Sequence, residues 1–158
     1  MAEIKDLSVT DASNNGSAAN AGAPEGMAPS SVNDSMRALR GLLKRAFNDA
    51  VEGDKDSTGS SNAYAVAANR TIAAYYDGMR IGFHANHANS GASTLNVDAV
   101  GAKAIVTGTS TALTANQILQ HQYVDVVYSA SGDNFQMVSP APSGGGAVGI
   151  GLVLALGG

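Results

Sequence analysis

The sequence predicts a mainly β protein with one long N-terminal helix, in which an extended arm precedes a small antiparallel β sandwich or barrel. Three observations support this prediction. Residues 1–29 are polar and lack periodicity, residues 30–52 carry a helical repeat, and residues 62–140 contain several short runs of alternating apolar and polar side chains. By composition, residues 53–61 form a linker and residues 141–158 a Gly-rich hydrophobic tail.

The composition favours an oligomer. Hydrophobic residues make up 44% of the 158, but much of that fraction is Ala, Trp is absent and aromatic residues reach only 5%. Ala buries little area at roughly 25 cal/mol per Å², and the 19 glycines lose more conformational entropy on folding than other residues. Burial between subunits would make up for such a weak core.

The charge and the cysteine count narrow the functional classes. Charged residues are 14% of the chain, below the roughly 25% of soluble proteins, which favours surfaces covered by neighbouring chains. A net charge of −4 argues against a nucleic-acid binder. The absence of cysteine excludes disulfides and thiolate metal sites. The N-terminus carries acidic residues without an apolar run, so it is not a signal peptide.

The first 52 residues combine an arm and a helix. The arm offers few bulky side chains, so it needs a partner surface to become ordered. Ser31 and Asp34 predict a hydroxyl cap with a carboxylate in the first turn of a helix that runs to about Val51, and Gly53 just beyond it is the predicted stop. Arg37, Arg40, Lys44 and Arg45 are interpreted as a solvated basic flank rather than a DNA-binding face.

Apolar side chains follow each other along this helix at spacings of 4, 3, 4, 3 and 4, as in a coiled coil. We expect them to form the oligomer interface; packing on the chain's own β domain is the alternative. The predicted seam consists of Val32, Met36, Leu39, Leu43, Ala46 and Ala50. Leu42 and Phe47 widen this stripe enough to pack on something else as well.

The alternation of apolar and polar side chains predicts the strands of the β part, and the length of the last apolar run limits what the tail can form. Strands are predicted over Ala63–Ala68, Met79–His84, Thr94–Val97, Ala104–Thr107, Gln122–Ser129 and Phe135–Val138. The tail has about ten apolar residues, too few for a membrane-spanning helix, which needs roughly 20. We expect its large side chains to be buried at a subunit junction or in a neighbouring protein: Val148, Ile150, Leu152 and Leu154.

Two segments resemble bacteriophage tail-fibre proteins. Residues 25–39, EGMAPSSVNDSMRAL, resemble a passage near the start of many fibre chains that leads into their first helix. Residues 73–97, AAYYDGMRIGFHANHANSGASTLNV, are similar to a pattern that recurs in fibre and tail-associated proteins, and 101–105 and 135–140 continue it. The resemblance covers roughly residues 24–140.

The resemblance implies a virion structural protein on the phage tail that assembles as a homotrimer. Glu25, Gly26, Met27 and Pro29 lie in the matching segment and are assigned to virion attachment. Long fibres continue for hundreds of residues, so the length of this chain favours a short fibre or a fibre anchor. The implied partners are the chain itself and phage tail proteins, with a longer distal fibre or a host glycan as further candidates. A capsid-bound fibre or decoration protein is the alternative.

No residue pattern predicts catalysis, a cofactor or a metal. His84, His87 and His121 are interpreted as turn residues rather than ligands, and Glu52, Asp54 and Asp56 lack the later ligands of a calcium loop. Nothing in the sequence brings Asp98 and Asp125 together as a hydrolytic pair. A carbohydrate-binding module is a third possibility, because Tyr75 and Tyr76 form an adjacent aromatic pair.

Overall fold

The computed structural model describes residues 26–139, and there the protein is mainly β with one helix. Helix α1 spans Pro29–Phe47 and continues directly into a wider π-helical turn, Asn48–Glu52, here called the π-turn. Eight strands follow: β1 Thr58–Ser60, β2 Ala63–Val66, β3 Arg80–His84, β4 Ser93–Val97, β5 Lys103–Thr107, β6 Thr111–Ala112, β7 Tyr123–Ser129 and β8 Asn134–Met137.

Proline and glycine set the limits of the helical segment. Pro29 occupies the first turn, where its fixed φ suits the helix and its missing N–H costs nothing. The predicted cap at Ser31 is therefore wrong: the helix begins two residues earlier, and Asp34 pairs with Arg37 at 3.0 Å instead. The predicted stop is confirmed, because Gly53 takes a left-handed conformation (φ 53°) and donates its N–H to the Asn48 carbonyl at 2.8 Å.

The strands form one curled sheet in the order β1-β2-β4-β5-β8-β7-β3, and β6 pairs with β5 beside this path. The expected antiparallel arrangement holds for five of the described strand pairs and fails for two. β2 pairs with β4 in parallel, with Tyr64 opposite Leu95, and β5 pairs with β8 in parallel, with Ile105 opposite Phe135. Alternation along a strand shows which face is buried but carries no information on the direction of the neighbouring strand.

The expected linker, residues 53–61, is part of this sheet. β1 pairs with β2, and just before it Asp56 bridges to His84 at the end of β3. The Ser57 N–H donates to the His84 carbonyl at 2.8 Å, and the Ser57 side chain is buried. One short segment thus contacts both edges of the curled sheet.

The concave side of the sheet encloses a core of large side chains. Tyr75, Tyr128 and Phe135 contact one another with ring centroids 5.1–5.3 Å apart. The buried residues of this core are Tyr64, Val66, Ile72, Met79, Ile81, Phe83, Ala85, Leu95, Val97, Ile105, Leu113, Ile118, Val124, Val126, Tyr128 and Phe135. The residues of this core therefore all lie in the β part, and α1 contributes none of them.

Candidate interaction surface

A line of large apolar side chains lies exposed along α1 and the π-turn. We call this line the helix stripe, and its members are between 41% and 59% exposed: Val32, Met36, Leu39, Leu43, Phe47 and Val51. Large exposed apolar patches are uncommon on proteins that work alone, and they mark contact surfaces.

The helix stripe and the predicted seam agree over four residues and then separate. The four shared residues are Val32, Met36, Leu39 and Leu43. Beyond them the predicted seam continues through Ala46 and Ala50, which are half-buried, whereas the exposed stripe continues through Phe47 and Val51. Leu42, which was expected to widen the stripe so that the helix packs on something else as well, is only 3% exposed. The side of the helical segment that carries Leu42, Ala46, Asp49 and Ala50 is thus the more covered one, and the opposite side is open.

A buried carboxylate attaches the π-turn to the β domain. The Asp49 carboxylate accepts hydrogen bonds from the backbone N–H groups of Asn69 (2.7 Å) and Arg70 (3.1 Å) and from the Asn69 side-chain amide (2.9 Å). The Arg70 Nε lies 3.2 Å from Asp49 Oδ2. The Arg70 guanidinium also donates to the Tyr76 hydroxyl at 2.8 Å and lies over its ring. Both charges are therefore paired inside the protein.

Two further contacts hold the end of the helical segment. Asp54 accepts hydrogen bonds from the side-chain amides of Asn69 (2.8 Å) and Asn48 (2.9 Å), and these bonds, that of Asn69 first, lower the pKa of its carboxyl. The ring of Tyr123 lies against the backbone of Gly53 and Gly82, where a Cβ on either glycine would collide with it. The Tyr123 hydroxyl donates to the Val51 carbonyl at 3.2 Å.

Basic side chains flank the stripe and contact their own helix. Arg37 pairs with Asp34 at 3.0 Å, and Lys44 pairs with Glu52 at 2.7 Å. The Lys44 ammonium also lies 5.5 Å from the centroid of the Phe47 ring. These exposed pairs leave the line of the stripe itself apolar.

The residues assigned to attachment or to the buried tail are only partly described. Gly26 is exposed in a left-handed conformation (φ 74°), Met27 is half-buried, and Pro29 is the first residue of α1. Glu25 and the four tail residues Val148, Ile150, Leu152 and Leu154 lie outside the described residues.

The three histidines have separate structural surroundings. His84 is exposed, with its Nδ1 3.9 Å from Asp56 Oδ1. His87 stacks on the Tyr64 ring at 4.6 Å, and His121 donates its backbone N–H to the Ala85 carbonyl at 2.7 Å. Within residues 26–139, no group of three or more metal-ligating side chains is arranged to hold a metal ion.

The carboxylates singled out in the sequence also serve local contacts. Glu52 pairs with Lys44, Asp54 with two amides, and Asp56 with the edge of β3. Asp98 accepts the backbone N–H groups of Ala68 and Ile72 at 2.9 Å, so it closes the loop after β2. Asp125 pairs with Arg80, and that contact raises the pKa of the guanidinium.

The adjacent tyrosines face the protein rather than forming an open platform. The Tyr75 hydroxyl donates to the Gly101 carbonyl at 2.7 Å and accepts the Val97 N–H at 2.9 Å. Tyr76 is half-buried and receives the hydrogen bond from Arg70. Stacking of a sugar on this pair would need both contacts to open.

No helix in the described part of the chain is long and apolar enough to cross a membrane. The sequence matches no protein-family model, and no curated protein matches it significantly.

Proposed function

We propose that the chain is a structural component of a phage virion, a short tail fibre or fibre anchor that attaches to the tail and assembles as a homotrimer. The observation that carries the proposal is the helix stripe, which is apolar, exposed and continuous from Val32 to Val51. The likeness of residues 25–39 and 73–97 to fibre proteins supports the same role. In this role the protein works mechanically and needs no catalytic group.

Helix association follows from the chemistry of the stripe. Burying a large apolar side chain stabilises a complex by roughly 1.5–3 kcal/mol when it starts fully exposed, and half-exposed side chains contribute about half of that. Six such residues on each chain provide a hydrophobic centre, while the ion pair of Lys44 with Glu52 lies beside it as a polar rim. The β domain, anchored through Asp49, is carried by the helix and presented away from the contact.

The test is the mass of the purified full chain in solution, measured by light scattering. We expect about three times the chain mass of 15.8 kDa. A variant with Leu39→Asp and Leu43→Asp places charges in the centre of the stripe and should be a monomer. The matched control, Ser30→Asp with Asn33→Asp, adds the same two carboxylates at exposed positions outside the stripe and should stay trimeric.

A folded wild-type monomer would overturn the homotrimeric fibre. Binding of the purified chain to a glycan array would instead favour the carbohydrate-binding module, which needs an exposed aromatic surface. Because Tyr75 and Tyr76 are engaged in internal hydrogen bonds, we expect no glycan binding from that pair.

A further inference from the structure

The π-turn changes the direction in which the last residues of the helical segment point. A residue advances by about 100° around an α-helix but by only about 80° in the wider π-helical turn. Over the four residues from Phe47 to Val51, the accumulated difference is roughly 80°. Val51 is thereby rotated back into line with the stripe, and Ala50 is rotated away from it, in agreement with their exposed and half-buried states.

We infer that the contact between subunits runs through Phe47 and Val51 at the C-terminal end of the stripe, instead of through Ala46 and Ala50. The partner is the same helix stripe on a second copy of this chain. This inference rests on the proposed homotrimer and specifies which residues its subunits share.

The apolar character of the stripe fits a second copy. Half-exposed side chains of this kind offer on the order of 80 Å² each, so the six provide roughly 500 Å² per chain; a specific interface buries roughly 800 Å² per partner, so the stripe forms the centre of the contact and its flanks supply the rest. No charged side chain interrupts the line from Val32 to Val51. A threefold axis along it would place each residue in a layer with its own equivalents, which an apolar surface allows because no opposite charges have to be matched.

The spacing within the stripe predicts how the helices run. Met36, Leu39, Leu43 and Phe47 are separated by 3, 4 and 4 residues, which is an eleven-residue repeat instead of a seven-residue one. Such a repeat removes the left-handed supercoil of a heptad seam. Phe47 is also far larger than Ala46, so it holds the helices further apart at the end that carries the β domains. Three domains then have room around the axis.

Cysteine crosslinking tests this placement in the full chain, which contains no cysteine of its own. Single variants Leu43→Cys, Phe47→Cys and Val51→Cys are compared with Ala46→Cys and Ala50→Cys under mild oxidation. Disulfide-linked dimers are quantified on non-reducing gels. Arg37→Cys, exposed on another side of α1, measures crosslinking by random collision.

We expect Leu43→Cys, Phe47→Cys and Val51→Cys to crosslink at least tenfold faster than Arg37→Cys, with Ala46→Cys and Ala50→Cys at the collision rate. Fast crosslinking at Ala46 and Ala50 would overturn the inference. Crosslinking at Leu43 alone would also overturn it, because the contact would then end above the π-turn or the helices would be antiparallel. Either result would leave the proposed homotrimer intact and overturn only the placement of its contact. A monomeric mass with every variant at the collision rate would instead overturn the proposed homotrimer.

Discussion

Asp49 and Arg70 form an ion pair inside the protein, with Nε and Oδ2 3.2 Å apart and side-chain exposures of 2% and 5%. Asp49 lies in the π-turn and Arg70 in the loop that follows β2, so the pair joins the helical segment to the β domain. Backbone N–H groups of Asn69 and Arg70 complete the coordination of the carboxylate. The orientation of the helix stripe relative to the β domain therefore depends on this buried pair together with the contacts of Asp54 and Tyr123.

Asp49→Ala should destabilise the protein by about 3–5 kcal/mol, because it leaves the Arg70 charge and the two N–H groups buried without a partner. Urea denaturation at a fixed protein concentration measures the change. Asp34→Ala removes an exposed ion pair on the same helix and should cost less than about 1 kcal/mol. Equal effects of the two substitutions would contradict the anchoring role of Asp49.

The strands with one buried face could be predicted from the sequence, and their order could not. Tyr64 and Val66, or Ile81 and Phe83, alternate with smaller or polar residues, and β2 and β3 lie where this pattern places them. β1 was missed because all three of its residues are exposed and none is apolar. Its position is set by pairing with β2 and by the bridge from Asp56 to His84, which are contacts distant in sequence.

The seam predicted from the sequence coincides with the exposed helix stripe as far as Leu43, because α1 keeps the regular spacing that a helical repeat assumes. The prediction departs at Ala46 and Ala50, where the seam was extended at a constant angle per residue through a segment that forms a π-turn. The burial of Asp49 could not be predicted from the sequence, since an isolated acidic residue near a helix end is normally exposed. Its burial depends on Asn69 and Arg70, twenty residues further along the chain.

Gly82→Ala should destabilise the protein by about 1–3 kcal/mol, because the new Cβ would collide with the Tyr123 hydroxyl in a packed contact. Tyr123→Ala removes the ring, so the same glycine substitution should cost less in that background. A double-mutant cycle from urea denaturation gives the coupling. Gly91→Ala, where nothing lies within 4 Å of a Cβ, should be nearly neutral. Full additivity of the Gly82 and Tyr123 changes would contradict the contact.

Tyr64 predicts a specific response to alkaline pH. Its side chain is 1% exposed, its hydroxyl donates to the His87 carbonyl at 3.0 Å, and burial raises its pKa to about 12. The unfolded chain releases the same proton near pH 10. The folded state thus holds the proton more tightly, so this contribution to stability is complete below pH 10 and is lost as the pH rises from 10 to 12.

Tyr64→Phe should therefore cost about 1 kcal/mol at pH 8, where only the hydrogen bond to His87 is lost. Between pH 10 and 12 the wild type should lose roughly 2 kcal/mol that the variant does not lose, because phenylalanine has no proton to release. Urea denaturation of both proteins at pH 8, 10, 11 and 12 measures the difference. The stability gap should close and then reverse as the pH rises. A gap that stays constant over this range would show that the Tyr64 hydroxyl ionises in the folded protein as easily as in the unfolded chain.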